Sequence, residues 1–296
     1  MSEESDPAPS LDEAWRRYDA DPGSMAAKRR LSRLLRDHPR LATADRRTEL
    51  LRLLADPDLD PIPLAAAGWS LLLSETARPW RPRALAGDAL ALCLLEQAYV
   101  PVAEAEAALT ELRRELLLSG GWREHPRLAD ALARQAGHNG GAWWFDAAER
   151  ERLAADSGFA AAYLPPSPTV PRGRSGTGIT AAVADQYRAW PYPAWTRIDS
   201  PDPTTLPAAI EAVDPGGPPL PRAARVLVAG CGTGREAAIL ARRFPDARIT
   251  AIDVSETSLA YAAERCAGLG IDFRQLDLHA APLGPSPELA EAPAVL

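Results

Sequence analysis

Three alternating glycines, Gly230, Gly232 and Gly234, form the stretch of this chain whose residue types most clearly indicate a ligand. Glycine adopts a positive φ without steric penalty, and its missing Cβ lets a ligand lie directly against the backbone. A short apolar run precedes these glycines and a helical pattern follows them, so a bound group would face a helix N-terminus. The residues therefore predict that a strand-to-helix turn binds a ligand through its backbone.

The spacing of the glycines decides between ligand classes. A dinucleotide-binding G-x-G-x-x-G sequence would have its third glycine where this chain has Arg235, and no Gly-Lys-Ser/Thr follows to form a Walker loop. What remains is G-C-G-T-G followed by Asp253 at the end of the next apolar run. In this stretch the chain resembles the class I S-adenosylmethionine-dependent methyltransferases.

The resemblance implies roles for individual positions. The three glycines would pass under the methionine and ribose parts of S-adenosylmethionine, and the Asp253 carboxylate would accept hydrogen bonds from both ribose hydroxyls. An acidic residue after the third strand would meet the adenine amino group. Many class I enzymes also have an acidic residue where this chain has Val228, so that contact is missing here or made by another group. The implied cofactor-binding residues in this part of the chain are Gly230, Cys231, Gly232, Thr233, Gly234, Asp253, Val254, Asp277 and Leu278.

A β-α-β-α-β pattern surrounds these positions. The apolar run at 226–228 and the runs at 248–252 and 271–276 predict three strands, and an amphipathic helix is predicted at 236–243. Parallel strands joined in this way have right-handed crossovers. The sequence thus predicts an α/β fold, a Rossmann-like parallel sheet of about three strands, preceded by an all-α N-terminal domain.

A second stretch narrows the resemblance. The segments DQYRAWPYPAW, VLVAGCGTG and AIDVSETSLAYA are similar to a bacterial group of methyltransferases that often carry tetratricopeptide repeats upstream. This likeness covers much of residues 80–280. It implies that Gln186, Tyr187, Pro191, Tyr192 and Trp195 line or cover the cofactor site. The alternative is that these aromatic residues seal the edge of the domain.

The N-terminal half is predicted to be helical. Leu31, Leu34 and Leu35 share one helix face, and Leu109, Leu112 and Leu116 share another. The most apolar region, 84–102, contains two acidic residues and ends at a proline, so it predicts a core helix rather than a membrane span. The aromatic residues Trp122, Trp143, Trp144 and Phe145 are predicted to pack in the core, the alternative being a substrate-facing surface.

Proline, glycine and serine content predicts the domain boundaries. The proposed order is a helical domain at 1–163, a linker at 164–178, a lid or pre-catalytic segment at 179–222 and a partial S-adenosylmethionine-binding domain at 223–296. The chain ends where a fourth strand is expected, so a truncated catalytic domain, or a partner that completes the sheet, is predicted.

Composition excludes several classes of protein. The 296 residues carry a net charge of -7, and the isoelectric point near 5.3 argues against a large nucleic-acid interface. Cys93, Cys231 and Cys266 are too scattered for a disulfide framework or a zinc site, and the N-terminus lacks the features of a signal peptide. We therefore expect a cytoplasmic protein with no bound metal and no membrane association.

The functional hypothesis is methyl transfer from S-adenosylmethionine to an unidentified acceptor, either a small molecule or a protein. No catalytic residue is assigned, and His279 is expected to be a surface residue. One alternative is a non-catalytic interaction protein whose helical domain binds a partner. The other is a nicotinamide-dependent oxidoreductase, which Arg235 disfavours.

Overall fold

The chain divides into two compact units. The computed structural model describes residues 7–76, 78–139, 143–163, 194–199, 201–221 and 223–277. One unit comprises Met1–Pro166 and Trp195–Arg197, and the other comprises Ser167–Ala194 and Ile198–Leu296. The first is all-α and the second contains a three-stranded parallel sheet. The predicted fold class is confirmed.

Nine α-helices, connected by short turns, form the described part of the first unit. The helices in chain order are α1 Pro7–Ala20, α2 Met25–Asp37, α3 Arg47–Ala55, α4 Ile62–Glu75, α5 Pro82–Ala86, α6 Ala89–Gln97, α7 Ala103–Ser119, α8 Pro126–His138 and α9 Ala147–Ala155. Turns of 3₁₀ helix lie at Pro39–Leu41, Ala44–Arg46, Gly121–Arg123 and Ser157–Ala162.

Helix α4 lies at the centre of this unit. Its sequence, IPLAAAGWSLLLSE, is apolar on almost every face, which is typical of a helix surrounded by other elements. It packs against α2, α3, α6 and α7. Trp69 of α4 is fully buried and stacks on Trp80 at a ring-centroid distance of 5.9 Å. The outer helices, by contrast, have one apolar face each. In α2 Leu31 and Leu35 are fully buried and Leu34 is partly buried, and in α7 Leu109, Leu112 and Leu116 are fully buried. These residues share the faces that their spacing predicts.

The apolar region 84–102 forms two helices, so the prediction of a single helix was wrong. Helix α5 ends at Ala86 and α6 begins at Ala89. The Asp88 carboxylate accepts hydrogen bonds from the backbone N–H groups of Leu90 and Ala91, at 2.9 and 3.0 Å, and thus caps α6. Arg47 donates to both oxygens of the same carboxylate. Asp88 is therefore a helix start rather than an interruption.

The aromatic residues near the end of this unit surround a buried arginine. Arg113 is 1% exposed, and its guanidinium carbon lies 3.2 Å from the centre of the Trp143 ring and 4.9 Å from that of Tyr163. Burial lowers the pKa of Arg113 to about 10. Tyr163 donates a 2.7 Å hydrogen bond to the buried Glu149. Trp143 is buried, as predicted for a core residue. Trp144 is 76% exposed, so the prediction that it packs in the core was wrong.

A short segment, Trp195–Arg197, completes the helical unit although it follows the predicted linker in sequence. Trp195 is buried, and Thr196 donates through its hydroxyl to the carbonyl of Gln97 at the end of α6, at 3.1 Å. Arg197 donates to the carbonyls of Leu54 and Leu59, at 2.5 and 3.4 Å. The segment thus satisfies the carbonyls of Leu54 and Gln97, which lie in the last turns of α3 and α6 where helices leave carbonyls unpaired, and one loop carbonyl, that of Leu59.

The second unit has an α/β order. Over the described residues its elements are α10 Leu206–Val213, β1 Arg225–Ala229, α11 Arg235–Arg243, β2 Arg248–Asp253, α12 Glu256–Arg265 and β3 Asp272–Gln275. The strands are parallel in the order β1-β2-β3, with Val228 paired to Ala251 and Asp253 paired to Gln275. The three predicted strands are present, and β3 is shorter than the predicted 271–276. Because the strands are parallel, the loops that follow their carboxyl ends all begin at the same edge of the sheet.

No helix in the described ranges is both long enough and apolar enough to cross a lipid bilayer.

Gly68 provides a test of the packing of α4 on α6. A Cβ at this position would lie 2.8 and 2.9 Å from the two terminal carbons of Leu94. We expect Gly68→Ala to lower the free energy of unfolding by about 1–3 kcal/mol, the range for overpacking a core, as measured by urea denaturation. Gly137→Ala in α8 is the matched control, because its Cβ would meet nothing within 4 Å. Stability in the control should be unchanged or higher, and equal effects of both substitutions would contradict the packing.

Candidate functional site

The loop between β1 and α11 turns through three left-handed glycines. Gly230, Gly232 and Gly234 have φ values of 68°, 51° and 76°, a region that other L-residues rarely adopt. The N–H of Cys231 donates to the carbonyl of Ile252 at 2.9 Å, which extends the pairing of β1 and β2 into the loop. Gly234 occupies the N-cap position of α11. The sequence prediction that this turn requires glycine is thus explained residue by residue.

The Asp253 carboxylate holds this loop against the end of β2. One oxygen, Oδ2, accepts a 2.7 Å hydrogen bond from the N–H of Gly232, and the other, Oδ1, accepts a 2.8 Å bond from the N–H of Ser255. The sequence predicted that Asp253 binds a ligand, but it did not predict that Asp253 also holds the loop in place. Each carboxylate oxygen can accept a second hydrogen bond, so the half-buried group can still bind a vicinal diol.

The three glycines have different surroundings. A Cβ on Gly230 would meet nothing within 4 Å, so the space beside this residue is open to a ligand. A Cβ on Gly234 would lie 2.6 Å from the Cβ of Ala262 in α12 and 3.4 Å from the Phe273 ring. Gly234 therefore allows α12 to approach the loop, a packing role that the sequence did not predict for it.

The two residues between the glycines differ in exposure. Thr233 is 2% exposed, so it belongs to the interior of the loop rather than to a ligand-facing surface. Cys231 is half-buried, and its thiol lies 3.9 Å from the carbonyl of Gly232. Burial and then the Asp253 charge raise the pKa of Cys231 to about 12. The thiol is therefore neutral at physiological pH, and the loop contains no thiolate nucleophile.

The ends of β2 and β3 meet beside the loop. The N–H of Leu276 donates to the carbonyl of Asp253 at 3.0 Å, and the Gln275 side chain donates to the carbonyl of Val254 at 3.0 Å. These bonds bring half-buried Val254 and Asp277 to the same edge of the sheet as Asp253. Gln275 was not predicted as a site residue. Its position next to the carboxyl end of a parallel strand is the signal that could have identified it.

Several predicted site residues do not belong to this described edge. Leu278, Gln186, Tyr187, Pro191 and Tyr192 lie outside the described residues, as does the proposed linker. Trp195 belongs to the helical unit and is 4% exposed. Its role towards a cofactor stays a prediction.

A family model matches the part of the chain that contains this loop. Residues 226–288 match the family described as a methyltransferase domain. The chain is 41% identical over 78 residues to trans-aconitate 2-methyltransferase from Variovorax paradoxus, covering 26% of this chain and 30% of that protein. It is 43% identical over 58 residues to malonyl-[acyl-carrier protein] O-methyltransferase from Acetivibrio thermocellus, covering 20% of each. The chain thus spans less than a third of the length of these two enzymes.

A third relative is shorter. The chain is 37% identical over 92 residues to the uncharacterized phycocyanin operon protein W of Pseudanabaena tenuis, covering 29% of this chain and 86% of that protein. No solved structure gives a significant match.

The division of tasks among the glycines predicts two outcomes. Gly234→Ala should lower the free energy of unfolding by more than Gly230→Ala does, because it adds both a positive-φ strain and a contact of 2.6 Å with Ala262. Gly230→Ala has the strain but not the contact, so we expect a loss of only about 1–2 kcal/mol. Urea denaturation of the two variants, followed by circular dichroism, measures the difference. Equal destabilisation would contradict the packing role of Gly234.

The raised pKa of Cys231 predicts slow alkylation. Below a pKa of about 12 the thiolate fraction falls about tenfold for each pH unit, so iodoacetamide should modify Cys231 slowly at pH 8 and faster as the pH rises. Peptide mass spectrometry measures the rate at this cysteine. Chain unfolded in urea is the control and should react rapidly. Modification of native Cys231 at the rate of the unfolded chain would contradict this environment.

Proposed function

The chain belongs to the same family as phycocyanin operon protein W and carries a methyltransferase domain, and we propose that it transfers a methyl group from S-adenosylmethionine to an acceptor. The observation that carries the proposal is the open space beside Gly230, next to a carboxylate that is already fixed in position. A ligand there would meet exposed backbone on one side and Asp253 on the other. Both features suit the ribose and methionine parts of this cofactor.

The residues at the edge of the sheet divide the binding of the cofactor between them. Asp253 would accept hydrogen bonds from the ribose hydroxyls through the lone pairs that Gly232 and Ser255 leave free. Gly230 would lie under the methionine part, and Val254 and Asp277 would lie beside the adenine. When bound, S-adenosylmethionine supplies a methyl group on a positively charged sulfur. The task of the protein is then to hold the acceptor in line with that methyl group.

The neutral Cys231 thiol agrees with such a role for the loop. A thiolate beside an activated methyl group would compete with the acceptor as a nucleophile, and the raised pKa of Cys231 keeps it protonated.

The relatives do not define the acceptor. Their names specify two different ones, trans-aconitate and malonyl-[acyl-carrier protein], although both match this chain at about the same identity. The shared residues therefore reflect what the two enzymes have in common. For this chain the acceptor class, small molecule or protein, stays open.

Isothermal titration calorimetry with S-adenosylhomocysteine tests the proposal on the full chain. We expect micromolar binding, abolished by Gly232→Val, because a β-branched side chain at a φ of 51° deforms the loop. Asp253→Ala should weaken binding by about 1.5–3 kcal/mol, the range for hydrogen bonds to a charged group.

Asp272→Ala is the matched control for Asp253. Asp272 is an exposed carboxylate at the opposite end of β3, and its partner is Arg274. The affinity should not change in this variant. A titration with NADH distinguishes the methyltransferase proposal from the nicotinamide-dependent oxidoreductase alternative. Binding of NADH but not of S-adenosylhomocysteine would overturn the methyltransferase proposal. So would an unchanged affinity in Asp253→Ala.

A further inference from the structure

A concave pocket on the helical unit lies away from the glycine loop in sequence and has no role in the proposed reaction. Its cavity of about 400 Å³ is lined by the turn Pro39–Leu41, by α4 and by the start of α7. This volume lies within the range of small-molecule sites, roughly 300–1,000 Å³. We propose that this pocket, termed here the Arg40–Arg78 pocket, binds a small organic anion with a short apolar body.

Two guanidinium groups line the pocket without a carboxylate partner. Within the part of the chain that the structure describes, neither Arg40 nor Arg78 has an ion pair, although many other arginines do. Arg36, for example, pairs with its neighbour Asp37 at 2.9 Å. On a chain of net charge -7, two unneutralised arginines on one concavity form a local positive field that attracts an anion.

The start of α7 adds a second positive element. This helix has 17 residues, and its N-cap residue, Val102, lines the pocket but has no side chain that can cap the helix. The first N–H groups of a helix lack internal partners and carry the positive end of its dipole. An anion in the pocket can therefore interact with the helix start as well as with the arginines.

The serines of α4 differ in what they can donate. Ser74 already donates its hydroxyl hydrogen to the carbonyl of Leu71 at 2.7 Å, so it can only accept. Ser70 makes no such bond among the described residues, so its hydroxyl can donate to an anion. Leu73 and Val102 supply an apolar wall for the rest of the ligand.

Glu104 is the one acidic side chain among the described residues that line the pocket. It lies in the first turn of α7, where a carboxylate interacts favourably with the helix dipole. The same negative charge opposes an incoming anion. Removing it should therefore strengthen binding, an effect opposite to that of removing either arginine.

The chemistry of the pocket favours a carboxylate or a phosphate group attached to a short chain. Arginine binds both through paired N–H donors. A macromolecular polyanion fits less well, because only two arginines line the pocket, whereas nucleic acids are bound through many phosphate contacts.

Isothermal titration calorimetry of the full chain with hexanoate and with hexyl phosphate tests the proposal. We expect at least one of these probes to bind, and the tighter one identifies the head group. Arg40→Gln and Arg78→Gln should each weaken binding by about fivefold, and Glu104→Gln should strengthen it by about twofold.

Arg36→Gln is the matched control, because Arg36 is an exposed arginine outside the pocket and should leave the affinity unchanged. Thermal melts confirm that each variant is folded. Three outcomes would overturn the assignment: silence with both anions, equal binding of hexanol, which lacks charge, or equal affinities in the arginine, Glu104 and control variants. Tighter binding of a Glu-rich peptide than of either probe would replace the small anion by an acidic protein segment.

Discussion

The geometry of the candidate site depends on the Asp253 carboxylate and on the hydrogen bonds that it accepts from two backbone N–H groups. One oxygen fixes Gly232 and the other fixes Ser255, so a single side chain ties the β1–α11 loop to the end of β2. Hydrogen bonds to a charged group contribute about 1.5–3 kcal/mol each. This is comparable to the cost of about 1–2 kcal/mol that a residue other than glycine incurs in the left-handed region. Glycine adopts that region without this cost. The loop thus keeps its shape through its own contacts, and a ligand that binds there meets a surface that is already formed.

The fold of the second unit was largely predictable because its signals are local. Strands β1 and β2 are short, mainly apolar runs, and every described residue with a positive φ is a glycine, so β1, the loop and β2 could be located from the sequence. The contacts of the loop were not predictable. Gly234 packs on Ala262, and Asp253 reaches Gly232, because strand register and helix position bring them together. These are tertiary relations that residue spacing does not contain.

In the helical unit, the sequence predicted which helix faces are buried but did not predict every helix boundary. Leucine spacing predicted the buried faces of α2 and α7, because helix periodicity alone determines which residues share a face. The boundary between α5 and α6 was missed. An aspartate within an apolar run looks like an interruption, whereas Asp88 caps a new helix and pairs with Arg47 from α3. The identity of the capping residue was visible in the sequence, but the partner that holds it was not.

The placement of Trp195–Arg197 has a consequence for how this chain can be divided. Because Thr196 and Arg197 bond to the ends of α6 and α3, the helical unit is assembled from two separated pieces of sequence. A fragment that stops at Tyr163 would leave those carbonyls without their donors. Gene fusions or recombination events with a junction in that interval would separate the helices from their last contributing segment. The two units are therefore not freely exchangeable cassettes, even though each has its own core.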